Sequence, residues 1–465
     1  MTASLRRLSG GFLAAFAVIA LALGYWSVMR RDSLIARDDN PRRVLEEQRI
    51  RRGQIVDRNG EPLADTLIDP DSDTTTRIYP HPEAAPVVGY YSLRYGVGGI
   101  EGELDDILRG DATLTPSERV LNQLLHRPQT GGDVQLTIDI MVQRAVQEAL
   151  GTQRGAVVVL SVPAGEVLAL GSQPTFDPNA LEERWDELSA DPEAPLLSRA
   201  TQGLYQPGTI LQSVILGAAL NAGAIETTEM WEGDLEVPVN GVTLPCSGDP
   251  QAVSTLSDAY IQACPAPFQS IAWRLNARRL DGALADFGLL EAPAFTLPTS
   301  AADLTIPPAQ ANLALTAIGQ SDLTISPLQM ALVATAFANQ GQMPALQLVR
   351  ATRLPGGEWQ PVSPTGNPRG TISPASVESV AGLMRQSVLS GAAQAATLPG
   401  RVVYGHSGLA IAGPEGSLNA WFIGFTYVNE GEAIAVAVLI EDAHSADVAA
   451  RVGAEALRAA LTTLP

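Results

Sequence analysis

Residues Leu8 to Met29 run for 22 positions without a charge, with Arg6 and Arg7 before them and Arg30 and Arg31 after. A helix of about 20 predominantly apolar residues spans a bilayer, so a single membrane anchor with one large domain behind it is the first expectation. Tyr25 and Trp26 stand where an interfacial aromatic belt belongs. A cleaved signal peptide is the rival reading, with Ala20 and Ala22 as the small residues of an A-x-A arrangement. The apolar run is long for a signal h-region, which favours the uncleaved anchor. The expected layout is a cytoplasmic tail over 1–7, a transmembrane helix over 8–29, a small turn-rich N-terminal domain over 30–130, and a larger domain over 131–465. Orientation is ambiguous on charge: Arg30, Arg31, Arg37, Arg42, Arg43 and Arg49 follow the segment and only Arg6 and Arg7 precede it. Taken alone, that count places the large domain in the cytoplasm.

Charge also divides the chain. Residues 1–58 hold 11 Arg against 6 acids, whereas the remaining 407 residues hold 19 Arg against 44 acids. So acidic a body repels phosphate backbones, and no nucleic-acid partner is expected. The chain contains no lysine, which removes the phosphate-loop lysine, the kinase strand lysine and any Schiff-base lysine. His81, His126, His406 and His444 form no metal-binding spacing, so neither a metal nor a cofactor is expected. Cys246 and Cys264 can form one disulfide in an oxidising compartment or stay as two buried thiols.

Local signals outline the body. Arg52 to Gly60 reads as a strand entering an Asn-Gly turn. Asp139 can cap a helix that runs to Gly151. Ala156–Leu160 and Glu166–Leu170 flank Pro163-Ala164-Gly165 as strand, turn and strand. Trp421–Val428 and Ala433–Ile440 repeat that pattern around Asn429-Glu430-Gly431, and Ala446–Leu461 reads as a closing helix. Helices fill the middle. Strands, helices, strands and a last helix predict an α+β domain with a mostly antiparallel sheet.

An ordered series of motifs runs from about 52 to 440. It begins with Arg52-Gly53-x-Ile55-x-Asp57-Arg58-Asn59-Gly60-x-x-Leu63-Ala64, then Gly99-Ile100-Glu101, Leu136-Thr137-Ile138-Asp139 with Gln143, and Pro174-Thr175-Phe176-Asp177-Pro178-Asn179. It continues with Tyr205-Gln206-Pro207-Gly208, Ser326-Pro327-Leu328-Gln329-Met330-Ala331 and Trp421-Phe422-Ile423-Gly424-Phe425. This series resembles class B penicillin-binding proteins, the peptidoglycan D,D-transpeptidases. The resemblance implies a serine β-lactamase-like transpeptidase domain, an antiparallel sheet flanked by helices, behind a small dimerisation or pedestal-like domain. It also implies an extracytoplasmic body on a single-pass plasma-membrane anchor, against the Arg count. The implied partners are cell-wall synthesis proteins in the membrane, with the peptidoglycan stem peptide as a candidate ligand.

The family's three catalytic motifs are all altered here. Its S-x-x-K falls on Thr209-Ile210-Leu211-Gln212, and a spacing of three puts the outer pair on one helix face. The family's lysine takes the serine proton, as an activated nucleophile requires; the amide of Gln212 does not titrate near neutral pH. Thr209 keeps a hydroxyl, more crowded by its β-branch, and its place after Pro207-Gly208 also suits a plain helix N-cap. The S-x-N motif falls on Ala263-Cys264-Pro265, where neither outer residue can relay a proton. The K-T-G motif falls on His406-Ser407-Gly408, and His406 is expected to be cationic only part of the time. Catalytic residues act as a unit, and losing one costs nearly as much as losing all. The expectation is therefore a silent transpeptidase-like domain serving as scaffold, regulator or stem-peptide sensor. A sensor needs a usable vestigial cleft at Thr209, Gln212, His406, Ser407 and Gly408. The alternative is a non-standard acyl-transferring enzyme using Thr209 with His406 as base.

Overall fold

A computed structural model describes residues 2–25, 47–113, 128–413 and 416–463. The expectations placed on Trp26 to Met29, on Arg30, Arg31, Arg37, Arg42 and Arg43, and on His126 fall outside these residues. The N-terminal helix Thr2–Gly24 leaves Leu8, Phe12, Phe16, Leu21 and Leu23 exposed. Among the described residues no helix is long and apolar enough to cross a membrane.

The body is organised by a five-stranded antiparallel sheet. Its order is Val403–Ala412, Ser417–Asn429, Glu432–Ile440, Gly155–Val162 and Val167–Gln173. Glu432–Ile440 lies at its centre and is buried at every position after Glu432. Side chains alternate across a sheet, so continuous burial means that both faces are covered. Ile140–Leu150 and Asp447–Thr463 pack on each other and on the sheet, and Pro327–Ala338 also packs against it. The first of these helices begins and ends where the sequence predicts. Asp139 accepts from the amides of Met141 and Val142, and Gly151, at φ 57, stops the helix after Leu150.

The N-terminal sheet is mixed and is completed from far along the chain. Its order is Trp359–Pro361, Val349–Arg353, Asp133–Leu136, Ile55–Val56, Pro62–Ile68 and Thr75–Ile78. The Asp57 to Gly60 turn docks on the capped helix: Ile140 N donates to Asp57 Oδ2 at 3.3 Å, and Asn59 Nδ2 donates to Asp139 Oδ2 at 3.2 Å. Behind it, fully buried Glu101 is held by Arg52 at 2.8 Å and Arg77 at 2.6 Å. Removing one partner of such a pair costs about 3–5 kcal/mol, because the other charge is left buried and alone.

Candidate functional site

Tyr205-Gln206-Pro207-Gly208 leads into a single 3-10 turn, Gly208–Leu211, which continues as the helix Gln212–Asn221. Gly208 adopts φ +59, and a Cβ there would sit 2.1 Å from the carbonyl oxygen of Leu409. The turn is thus pressed directly onto the edge strand Val403–Ala412. Thr209 is not an N-cap. Pro207 takes that position in a helical conformation, and Thr209 lies inside the turn, fully buried. Its Oγ1 instead accepts from the backbone N–H of Leu409 at 2.9 Å, while its own proton faces the Leu409 carbonyl at 3.5 Å.

Gln212 opens the helix and is also fully buried. Its Nε2 donates to the carbonyl of Cys264 at 3.0 Å, and its Oε1 has no partner. Cys264 stands between Ala263, held at φ 51, and Pro265, which begins the helix Ala266–Leu275. The two cysteines are bonded, with an S–S distance of 2.03 Å.

His406, Ser407 and Gly408 lie on the edge strand, opposite Ile423, Phe422 and Trp421. His406 is fully buried and stacks on Tyr260, ring centroids 4.2 Å apart and planes 8° from parallel. Its Nε2–H donates to the backbone carbonyl of Thr209 at 3.3 Å, leaving Nδ1 without a partner. Desolvation holds its pKa down to about 3. The expectation of a part-time cation at this position is therefore corrected: burial keeps the ring neutral at physiological pH. Nor does the ring bond the Thr209 hydroxyl, the contact that a Thr209–His406 base pair needs. Gly408 admits the close approach, since a Cβ there would lie 2.5 Å from Ile210 N and 2.8 Å from Thr209 Oγ1.

The three altered motifs converge on buried side chains. Thr209, Gln212, Ala263, Cys264, His406 and Ser407 are all 0 % exposed. At the residues expected to line a cleft, Thr209, Gln212, His406, Ser407 and Gly408, the turn and the edge strand approach backbone to backbone. Gln212 Oε1, His406 Nδ1 and Ser407 Oγ are buried without a protein hydrogen-bond partner. A cavity of about 710 Å³ lies alongside, lined by Tyr205, Gln206, Asn240, Gln320, Ile411 and Asn419 among others, and none of the five expected cleft residues borders it. Three participants escape a reading of the sequence. Tyr260 supplies the stacking surface, Ser213 bonds the Tyr260 hydroxyl at 2.9 Å, and Leu409 acts through its backbone. Ser213, a polar residue just ahead of the apolar run Val214–Leu220, is the one available signal; a backbone N–H has none. Among the described residues no group of His, Cys, Asp or Glu side chains is arranged to hold a metal ion.

Two families match this chain. The penicillin binding protein transpeptidase domain matches residues 155–461, and the penicillin binding protein A dimerisation domain matches residues 52–134. The chain is 32 % identical over 500 residues to the peptidoglycan D,D-transpeptidase PbpA of Mycobacterium tuberculosis, covering 100 % of both. Among solved structures, PBPA from M. tuberculosis aligns with a TM-score of 0.77 at 30 % identity, over 88 % of this chain and 99 % of that one. The imipenem acyl-enzyme complex of penicillin-binding protein A from M. tuberculosis aligns with a TM-score of 0.78 at 30 % identity, over 89 % and 99 %.

Proposed function

This chain belongs to the penicillin-binding protein transpeptidase family, and we propose that it is a silent member that serves peptidoglycan synthesis as a scaffold or regulator. One observation carries the reading. The hydroxyl in the nucleophile position is fully buried and its oxygen is occupied by the Leu409 N–H, while the neighbouring base position holds the neutral amide of Gln212. Attack on an acyl-D-Ala carbonyl needs a proton acceptor within hydrogen-bond reach of the nucleophile. Thr209 has the Leu409 carbonyl at 3.5 Å in that direction, which is too weak a base to take its proton. His406, neutral and bonded to the Thr209 carbonyl, does not replace the lysine. The sealed interior favours scaffold over stem-peptide sensor, since a sensor needs His406, Ser407 and Gly408 within reach of solvent.

Anchoring belongs to the same proposal. The uncharged run from Leu8 to Met29 and the exposed apolar side chains of the Thr2–Gly24 helix support a single plasma-membrane anchor. The Cys246–Cys264 bond supports an extracytoplasmic body, because disulfides persist in oxidising compartments. The family matches at 52–134 and 155–461 fit a small domain over 30–130 ahead of a transpeptidase-like domain over 131–465. Partners are then membrane proteins of cell-wall synthesis, not nucleic acid. The test is genetic: in a host lacking the native copy, a Thr209→Ala chain should restore growth and wall shape as fully as wild type at equal abundance. Failure of that variant to complement would contradict the scaffold reading.

A further inference from the structure

We infer that the Cys246–Cys264 disulfide is a redox latch on this closed centre, and that a dithiol reductant of the extracytoplasmic compartment opens it. The inference rests on the sealed-centre reading above and adds its regulation.

Cys264 is fixed from two sides. Its sulfur is bonded to Cys246, which follows the hairpin of Val237–Val239 and Val242–Leu244, and its carbonyl takes the Gln212 Nε2–H at 3.0 Å. The helix just before it, Leu256–Ile261, carries Tyr260, which stacks on His406 and bonds Ser213. The loop from Gln262 to Pro265 and this helix together form the wall over Gln212 and His406. Two features press that wall outward. Gln212 Oε1, His406 Nδ1 and Ser407 Oγ lack a protein partner in the closed form and would face solvent on opening. Ala263 is held in the left-handed region at φ 51, which a residue with a Cβ rarely adopts. What opposes them at the same loop is a covalent bond. A bond that constrains one loop against unpaired polar atoms makes a two-state element whose balance its own chemistry sets.

The exchange is balanced. A thiolate of the dithiol attacks the sulfur of Cys246, the more exposed of the two residues at 9 % against 0 %, and Cys264 leaves as a thiolate that takes up a proton. The second thiol of the reductant then displaces Cys246, closing the reductant into a disulfide. Two electrons and two protons pass to the protein, giving two thiols.

The test is amide hydrogen exchange on the full-length chain in three forms: oxidised, reduced with dithiothreitol, and Cys246→Ala/Cys264→Ala. The Leu409 amide reports closure, because it donates to Thr209 Oγ1 and not to a neighbouring strand. On reduction, and in the double variant, its exchange should accelerate roughly tenfold or more, as for a local opening, while the central strand Glu432–Ile440 keeps its protection. Unchanged Leu409 exchange in the double variant, or in reduced chain whose thiols are verified by alkylation, would overturn the latch. So would equal loss of protection in the central strand, which would make the bond a global staple. Neither outcome bears on the absence of catalysis, which acylation of the oxidised chain measures separately.

Discussion

The backbone N–H of Leu409 donates to the hydroxyl oxygen of Thr209 at 2.9 Å, joining residues 200 positions apart. The bond ties the edge strand to the turn that holds the family's nucleophile position. An edge strand ordinarily offers its unpaired donors and acceptors to an added strand. Here a donor of that edge is spent within the protein. With Gly408 against Ile210 and His406 bonded to the Thr209 carbonyl, strand and turn meet at three points, residues 406, 408 and 409.

Gly408→Ala should pry the strand from the turn. Its Cβ would sit 2.5 Å from Ile210 N and 2.8 Å from Thr209 Oγ1, both on a buried and unyielding turn. The expected loss in chemical denaturation is about 1–3 kcal/mol, the usual cost of overpacking. Gly382→Ala is the control: it lies in the helix Pro374–Ser390, where an added methyl group would meet nothing within 4 Å, and should gain about 0.5–1 kcal/mol.

His406 makes stability depend on pH in a defined window. Its folded pKa, about 3, lies below the ordinary value of 6.5. Between those values the unfolded chain binds a proton that the folded chain refuses, so stability falls as pH drops below about 6.5. The slope from this one residue approaches about 1.4 kcal/mol per pH unit. His406→Phe keeps a ring against Tyr260 and removes the proton. Denaturation curves at pH 7 and pH 5 should show a smaller loss in the variant than in wild type; equal losses would mean that His406 does not govern this window.

Much of the frame is legible because its signals are local. A capping carboxylate at Asp139, a left-handed glycine at 151 and apolar runs around Pro163-Ala164-Gly165 each act within a few residues. The closure is not legible, because it depends on long-range contacts of groups without a sequence signature. The Leu409 donor belongs to the backbone, and the Tyr260–His406 stack joins two rings from separate elements. Thr209 resembles an N-cap because Pro207-Gly208 resembles a break. Pro207 instead stays helical, at φ -69 and ψ -32, which draws Thr209 inside the turn. Likewise the partial charge expected for His406 assumes solvent that its burial excludes.

Restoring the family's first motif in letters should not restore its chemistry. Thr209→Ser/Gln212→Lys places an ammonium where a fully buried amide bonds only the Cys264 carbonyl. An unpaired buried charge of this kind costs about 3–5 kcal/mol. The penalty should shrink at alkaline pH, because the buried amine sheds its proton more readily than the unfolded one. Ala263 and Pro265 still supply no relay, so no acylation is expected; a stable variant that acylates would contradict the closed geometry.

Deleting residues 1–25 should move the chain from the membrane fraction to the soluble fraction while the body keeps its unfolding transition. The helix Thr2–Gly24 offers exposed apolar side chains, and among the described residues the buried apolar core begins only at Ile50. Retention of the shortened chain in carbonate-washed membranes would contradict the single-anchor proposal.

The most direct measurement is the intact mass of the full-length, oxidised chain after incubation with a penicillin and a carbapenem. On the proposed silent role, a fully buried hydroxyl beside a neutral amide and a neutral imidazole does not open a β-lactam ring. The expected result is an unchanged mass with both compounds. A covalent adduct that peptide mapping assigns to Thr209 would contradict the account.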